Sequence, residues 1–304
     1  MIRFGLVGVN TMHANVFAGL FNGGPNGPPI LDGGRVVAVW GGPAEARDRL
    51  VADHGIETVV EDPAAMIGRV DAALIVDDHG GGASHAALAR PFLEAGLPTF
   101  IDKPMTLDLA EAIALFDLAE GRGAPLMSCS ALRFADELVA LKDRAAGFGA
   151  PCSVVSVGPG DWFYYGVHAV EAYQTLVGGG APSWVHRHAF PERDVAVLGH
   201  DGGPTVVVET LRDAAYVFHL AVYGTDGWGQ TEIADHAAFY RNTMAAVLKM
   251  AQTGVPGVSR EETLAVLATL AAGNRSAETG GAVRVDEVGA GDGNAGRVAP
   301  AARP

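Results

Sequence analysis

The sequence predicts an α/β protein in two parts. An N-terminal doubly wound parallel sheet is expected over residues 1–128, and a C-terminal α+β domain with an open, mainly antiparallel sheet over 129–288, with a flexible tail at 289–304. Three observations predict this. Strand-like and helix-like segments alternate through the first 128 residues. Strand-like segments then follow one another directly. At 304 residues the chain matches about two domains and can bury a core with a cleft between domains.

The first half runs "IRFGLVGV", a helix near 13–21, "RVVAVW", a helix near 43–54, "TVV", a short helix, "DAALIV", a helix near 84–95, "PTFI", a helix near 107–120 and "APLMS". Short, continuous Val/Ile/Leu runs between amphipathic helices are what a parallel sheet covered on both faces requires. After "ALRFADELVALKDRAAGFG", read as a helix with its linker, the strands are "CSVVSVG", "SWVHRHAF", "DVAVLGH", "TVVVETL" and "AYVFHLAVYG", with "HDGGP" as a hairpin turn. One helix, 167–177, interrupts them. Two more close the domain, each ending in Gly, and Ser259 with Glu262 fits a capping box on the second.

Hydrophobic residues make up 49% and charged residues 18% of the chain, and the mean hydropathy is +0.20. That balance excludes a disordered chain. No apolar run reaches the roughly 18 residues that span a bilayer, and no basic leader precedes the first strand, so a cytoplasmic protein without a membrane partner is expected. A net charge of −14 without a clustered basic surface argues against nucleic acid. Two cysteines, Cys129 and Cys152, are too few for a disulfide framework, and they show no zinc spacing. No metal is expected. His186 and His188 share a strand face by the period of two, but no carboxylate supports them as ligands.

Two stretches carry chemistry. "GVNTMH" follows the first strand where a dinucleotide fold has G-x-G-x-x-G. Gly8 matches, Asn10 replaces the second glycine and His13 the third. Asn10, Thr11 and Met12 are the candidate phosphate-side contacts, with Asn10 and Thr11 able to donate to phosphate. The second strand ends in "VWGGPAEARDR", with no acid for a ribose hydroxyl before Glu45. Trp40 and Gly41 are candidate contacts there, and Arg47 and Arg49 leave NADP open beside NAD. The other stretch, "FIDKPMTLD", ends a buried strand on Asp102, Lys103 and Pro104. Desolvating an ammonium ion is costly, so a lysine here points to the carboxyl end of a parallel sheet, where open α/β folds bind ligands.

Together with "HAALARPFLEAGLPTFIDKPMTLDLAEA", "ALRF", "YYGVHAVEAYQTLVG" and the closing helices, these segments resemble the glucose-fructose oxidoreductase / inositol dehydrogenase / rhizopine catabolism family, Gfo/Idh/MocA, from residue 1 to about 288. The resemblance implies a Rossmann domain binding NAD or NADP, and a second domain that builds the substrate site and often an oligomer interface, here a homodimer or homotetramer. It implies oxidation or reduction of a secondary alcohol or ketone on a sugar-like, cyclitol-like or polyol substrate. Lys103 matches the family's active-site lysine, and Pro104 follows a peptide that is often cis. In the family's D-x-G-x-H motif the two residues lie four apart on one helical face. His168 matches the general base, while Tyr164 stands in place of the Asp, and Glu171 can orient His168. "VDDHGGGASH" departs from the family pattern: Asp78 and His79 are expected near the cofactor beside Asp77, and His85 is expected to cap or pack. Arg133 is expected to reach substrate or phosphate, or to form a structural salt bridge. Trp162 and Tyr165 are expected to stack on an apolar sugar face, and Asp161 can substitute for the missing Asp. Two other outcomes stay open: a redox-neutral NAD(P)-using lyase or epimerase of the same fold, and a non-catalytic ligand-binding relative without cofactor.

Overall fold

The computed structural model describes residues 1–178 and 180–288; the tail expected at 289–304 lies outside the described residues. The chain divides into two compact units. One comprises Met1–Thr106, Glu111–Cys129 and Tyr240–Ser259, and the other comprises Leu107–Ala110, Ser130–Phe239 and the described residues from Arg260 onward. Residues 240–259, which the sequence reading groups with the second domain, therefore belong with the first unit.

The first unit runs β1 (Ile2–Val7), α1 (Met12–Asn22), β2 (Gly34–Trp40), α2 (Ala44–His54), β3 (Thr58–Val59), β4 (Ala72–Ile75), α3 (His85–Glu94), β5 (Thr99–Ile101), α4 (Leu109–Arg122) and β6 (Leu126–Ser128). The sheet order is β3-β2-β1-β4-β5-β6, with every pairing parallel. Each residue of β4, β5 and β6 is buried, which is why these strands read as unbroken apolar runs. The order reverses between β1 and β4. There the carboxyl ends of neighbouring strands diverge and leave a crevice, the general ligand position of this architecture. Gly8 sits at that point with φ +104°, and a Cβ on it would lie 2.4 Å from the Asp77 backbone. Only glycine allows this approach.

The second unit contains α5 (Asp136–Ala145), β7 (Pro151–Pro159), α6 (Gly166–Val177), β8 (Trp184–Ala189), β9 (Arg193–Gly199), β10 (Thr205–Leu211), β11 (His219–Gly224) and β12 (Trp228–Glu232). Then come α7 (His236–Thr253), whose greater part belongs to the first unit, α8 (Arg260–Thr279) and β13 (Val283–Arg284). The sheet order is β12-β11-β7-β10-β9-β8-β13, antiparallel except for the β7–β10 pair. Strand β10 alternates buried and half-exposed residues, as expected of a sheet covered on one face. The covering helices are α6, against β7 and β10, and α8, against β8 and α6. Strand β12, "WGQTE", has no sequence signal because its only large apolar side chain, Trp228, is 61% exposed. The preceding segment read as "AYVFHLAVYG" becomes strand only from His219.

Two buried features hold this unit. Asp194 accepts Arg187 Nε at 2.9 Å and Thr210 Oγ1 at 3.1 Å, and also pairs with Arg212. Such a charge is tolerable in the interior because it is fully partnered. Trp162 is the other. Its indole is 1% exposed and donates to the Leu270 carbonyl at 2.9 Å, in space left by Gly273 on α8. A Cβ at Gly273 would fall 2.4 Å from the indole ring. Replacing Gly by Ala in a helix ordinarily gains about 1 kcal/mol, but overpacking a rigid core costs roughly 1–3 kcal/mol. Gly273→Ala is therefore expected to lower stability despite the better helix former, read as an earlier denaturation midpoint in urea. A stabilised variant would show that the indole has room to yield.

Candidate active site

Strand β5 delivers Asp102, Lys103 and Pro104 to the carboxyl edge of the parallel sheet, and all three are buried. The Lys103–Pro104 peptide is cis. Two histidines hold this turn. His13, at the start of α1, places Nδ1 2.6 Å from Asp102 Oδ2 and Nε2 2.9 Å from the Tyr240 hydroxyl. His85, at the start of α3, places Nδ1 2.9 Å from the Pro104 carbonyl oxygen, in the packing role expected of it. Gly82 closes the other side, since a Cβ there would lie 2.9 Å from that same oxygen. Burial alone would push the Asp102 carboxyl up. The charges of His13, Lys103 and His85, with the His13 hydrogen bond, outweigh it and hold the carboxyl well below the ordinary range.

The β1–α1 loop is organised by its own polar side chains. Thr11 caps α1, its Oγ1 accepting from His13 N–H at 3.2 Å, and the Asn10 Oδ1 accepts from Asp78 N–H at 3.0 Å. Both side chains are thus partly committed. What they retain for a phosphate is the Asn10 amide nitrogen and the Thr11 hydroxyl hydrogen. Met12 is 63% exposed. Asp77 is buried, and its Oδ2 accepts from the Ser84 hydroxyl at 2.6 Å and from His79 N–H at 3.3 Å, so it organises its own loop. His79 itself is exposed.

Beyond β2, Trp40 donates its indole N–H to the Glu61 carbonyl. Gly41 and Gly42 have φ +96° and +66°, and a Cβ on Gly42 would meet Val9 at 2.2 Å. Arg47, on the first turn of α2, has a buried Nε with no hydrogen-bond partner among the described residues; Asp48 Oδ1 lies 3.5 Å away. An underused buried guanidinium nitrogen, phosphate-side donors and no acid at the end of β2 together fit a dinucleotide, including one with a 2′-phosphate.

In the second unit, His168 lies in the first turn of α6 and is 9% exposed. Its Nδ1 is 2.6 Å from Ser130 Oγ. Helix α6 begins at Gly166, so Tyr164 precedes it and does not share a helical face with His168; the Tyr164 N–H donates to Asp161 Oδ1 at 2.8 Å. Asp161 also accepts from Phe163 N–H, which gives it a turn-capping role in place of that of a substitute acid. Glu171 approaches Ser130 through the backbone: its Oε2 accepts Ser130 N–H at 2.7 Å, and its Oε1 accepts Arg133 Nε at 2.7 Å. Arg133 also reaches Glu262 at 2.7 Å. Arg133 thus forms two salt bridges, and Glu171 is linked to His168 by way of Ser130.

Trp162 is buried in the core in place of facing a sugar: its indole N–H donates to the Leu270 carbonyl of α8 and the Arg187 guanidinium lies 5.3 Å over its ring. The aromatic surroundings of His168 are Tyr165, at 5.9 Å between ring centroids, and Phe218, at 5.4 Å, with Tyr216 beside both. Sequence reasoning missed Tyr216, Phe218 and Ser130. The two aromatics stand in a segment read as strand, and a lone serine in "SCSALRF" gives no signal. His186 and His188 do share a face, with centroids 4.4 Å apart, but no cluster of three His, Cys, Asp or Glu suited to a metal occurs among the described residues. No helix among them is long and apolar enough to cross a membrane.

The depressed Asp102 acidity has a testable sign. A carboxyl whose folded pKa is lowered contributes stability above its unfolded value of about 4, and that contribution fades as pH falls further. The stability lost in Asp102→Asn should therefore be largest near neutral pH and shrink below about pH 4, measured by urea unfolding across that range. A difference independent of pH would show that Asp102 is not held ionised.

Residues 2–129 match the family model described as "Oxidoreductase family, NAD-binding Rossmann fold". Over 301 residues, 80% of this chain and 90% of the relative, the sequence is 30% identical to D-xylose 1-dehydrogenase (NADP(+)) 2 of Haloferax volcanii. Among solved structures, scyllo-inositol dehydrogenase from Lactobacillus casei with bound NAD(H) and scyllo-inositol superposes with a TM-score of 0.80 at 17% identity, covering 94% of this chain and 99% of that one. Myo-inositol 2-dehydrogenase from Lactobacillus plantarum does so with a TM-score of 0.80 at 17% identity, covering 93% and 99%. Those two establish the shared fold, while the family model and the D-xylose relative carry the assignment by sequence. The chain belongs to the Gfo/Idh/MocA family and is an NAD(P)-dependent dehydrogenase.

Proposed function

We propose that this dehydrogenase oxidises a secondary alcohol, or reduces the matching ketone, on a sugar-like, cyclitol-like or polyol substrate, with Lys103 and His168 as the proton-transfer and alkoxide-stabilising groups. The observation that carries the reading is a lysine buried on a clamped turn at the carboxyl edge of a parallel sheet. Burying an ammonium is costly, and a rigid buried amine is suited to meeting an oxygen that gains negative charge. The molecules named in the relatives support the substrate class, since D-xylose and scyllo-inositol are both polyhydroxylated. NAD(P), when bound, would supply the hydride acceptor or donor. Tyr165 and Tyr216 offer aromatic faces suited to the apolar side of a sugar ring. A cytoplasmic homodimer or homotetramer belongs to the same reading; Tyr223 and Trp228, 44% and 61% exposed, supply apolar surface for such an interface.

A panel of sugars, cyclitols and polyols assayed for NAD(P)H formation tests the reaction. Lys103→Ala and His168→Ala are expected to abolish turnover while NADH and NADPH still bind, as followed by fluorescence; full turnover in either variant would remove that residue from the chemistry. Arg47→Ala is expected to weaken NADPH by roughly tenfold or more, the worth of a charge-assisted hydrogen bond, with little change for NADH. Equal loss for both cofactors would place Arg47 away from the 2′-phosphate.

A further inference from the structure

We propose that Ser130 is a positioning residue that fixes the tautomer of His168. The neutral imidazole is held with its proton on Nε2, so that His168 meets the substrate oxygen as a hydrogen-bond donor and not as its base. The role toward substrate rests on the assignment of His168 made above, whereas the tautomer rests on hydrogen-bond geometry alone.

The Ser130 side chain is completely buried. Among the described residues its Oγ has two hydrogen-bond neighbours: Leu132 N at 3.2 Å and His168 Nδ1 at 2.6 Å. The Leu132 N–H can only donate, so it occupies an acceptor position on Oγ. The hydroxyl hydrogen then has one acceptor, His168 Nδ1. A ring nitrogen that accepts carries no proton, and the neutral imidazole must hold its hydrogen on Nε2. The opposite tautomer would leave the buried hydroxyl hydrogen without an acceptor. That is disfavoured by roughly five- to hundredfold.

The serine has little freedom to turn away. Its own N–H donates to Glu171 Oε2 at 2.7 Å, its carbonyl accepts Arg133 N–H at 3.2 Å, and Arg133 pins the other oxygen of Glu171. Ser130 also caps the short turn Ala131–Phe134. A carboxylate at this place would accept from Nδ1–H and leave Nε2 a lone pair for the substrate proton. A serine donor does the reverse.

The chemistry then divides as follows. In alcohol oxidation the C–H bond breaks, and its electron pair leaves with hydrogen as hydride, which NAD(P)⁺ would accept when bound. The O–H bond breaks, its proton would pass to a base other than His168, the part the proposed function gives to Lys103 once that amine has lost its own proton, and the C=O bond forms. His168 donates Nε2–H to that oxygen throughout and ends with its own proton in place. Reduction runs through the same positions in reverse.

The tautomer is read directly by long-range ¹H–¹⁵N correlation of the ¹⁵N-histidine-labelled full chain at a pH where the ring is neutral, with His168 identified by its absence in His168→Gln. The expected pattern is an unprotonated Nδ1 and a protonated Nε2, with a changed Nδ1 shift in Ser130→Ala that Ser130→Thr restores. A protonated Nδ1 in the native enzyme, or an Nδ1 shift unmoved in Ser130→Ala, overturns the proposal. Turnover gives a second reading that does not depend on the serine variants folding. The amide of His168→Gln keeps a donor but no base, so its kcat should exceed that of His168→Ala by about tenfold. Equal kcat in the two variants overturns the donor role. Because the spectra need no substrate, a panel without turnover would count against the proposed reaction and leave the tautomer result standing.

Discussion

The bond between His13 and Asp102 is the constraint on which the first unit is built. A carboxylate and an ammonium emerge together from the end of a buried strand, where each loses hydration worth several kcal/mol. An imidazole 2.6 Å from the carboxylate compensates one of the two, and a second histidine holds the carbonyl of the following proline. The backbone that carries Lys103 is thereby held through both of its neighbours. In the same stroke the bond explains the altered dinucleotide motif. The third glycine normally lets the first helix pack close to its strand. Here that place holds a side chain, because a ring on α1 is needed to reach across to the end of β5. The defect in one motif and the acid in the other are two ends of a single contact.

The second unit solves its electrostatic problem differently. Glu171, Arg133 and Glu262 form a chain of alternating charge that meets the Ser130 backbone, and the Ser130 hydroxyl joins it to the histidine. Burial pushes the Glu171 carboxyl up, against the pull of Arg133 and the Ser130 N–H. The aromatic neighbours of the imidazole, Tyr165 and Phe218, contribute no formal charge.

Most of the fold was legible because it rests on local periodicity. Fully buried strands such as β4 write themselves as apolar runs, and one-faced strands such as β10 alternate. Strand β12 was not legible because an edge strand satisfies its backbone against β11 while leaving its side chains to water. At the candidate site, Lys103 and His168 could be named from their motifs. The contacts around them could not, since His13 meets Asp102, Ser130 meets His168 and Tyr240 meets His13 across separations of 89, 38 and 227 residues that no pattern of spacing encodes. Trp162, Arg133 and Glu171 were open to a pocket role and to a structural one. Large aromatic and charged side chains are equally the material of a core when a glycine makes room or an opposite charge is in reach, and here both conditions were met by residues far along the chain.

Tyr240 also bears on how the polypeptide is made. The tyrosine that closes the His13 side of the turn belongs to a stretch, Tyr240–Ser259, that joins the first unit after the chain has built most of the second. Domains tend to fold as they leave the ribosome, N-terminal first. This one cannot complete itself in that order: after residue 129 its sheet is present, yet the helix that bonds His13 is more than a hundred residues from synthesis. The nascent nucleotide-binding unit must wait, with an unfinished surface, for the other unit to be translated. The contact between Tyr240 and His13 is thereby made only after most of the second unit has been synthesised.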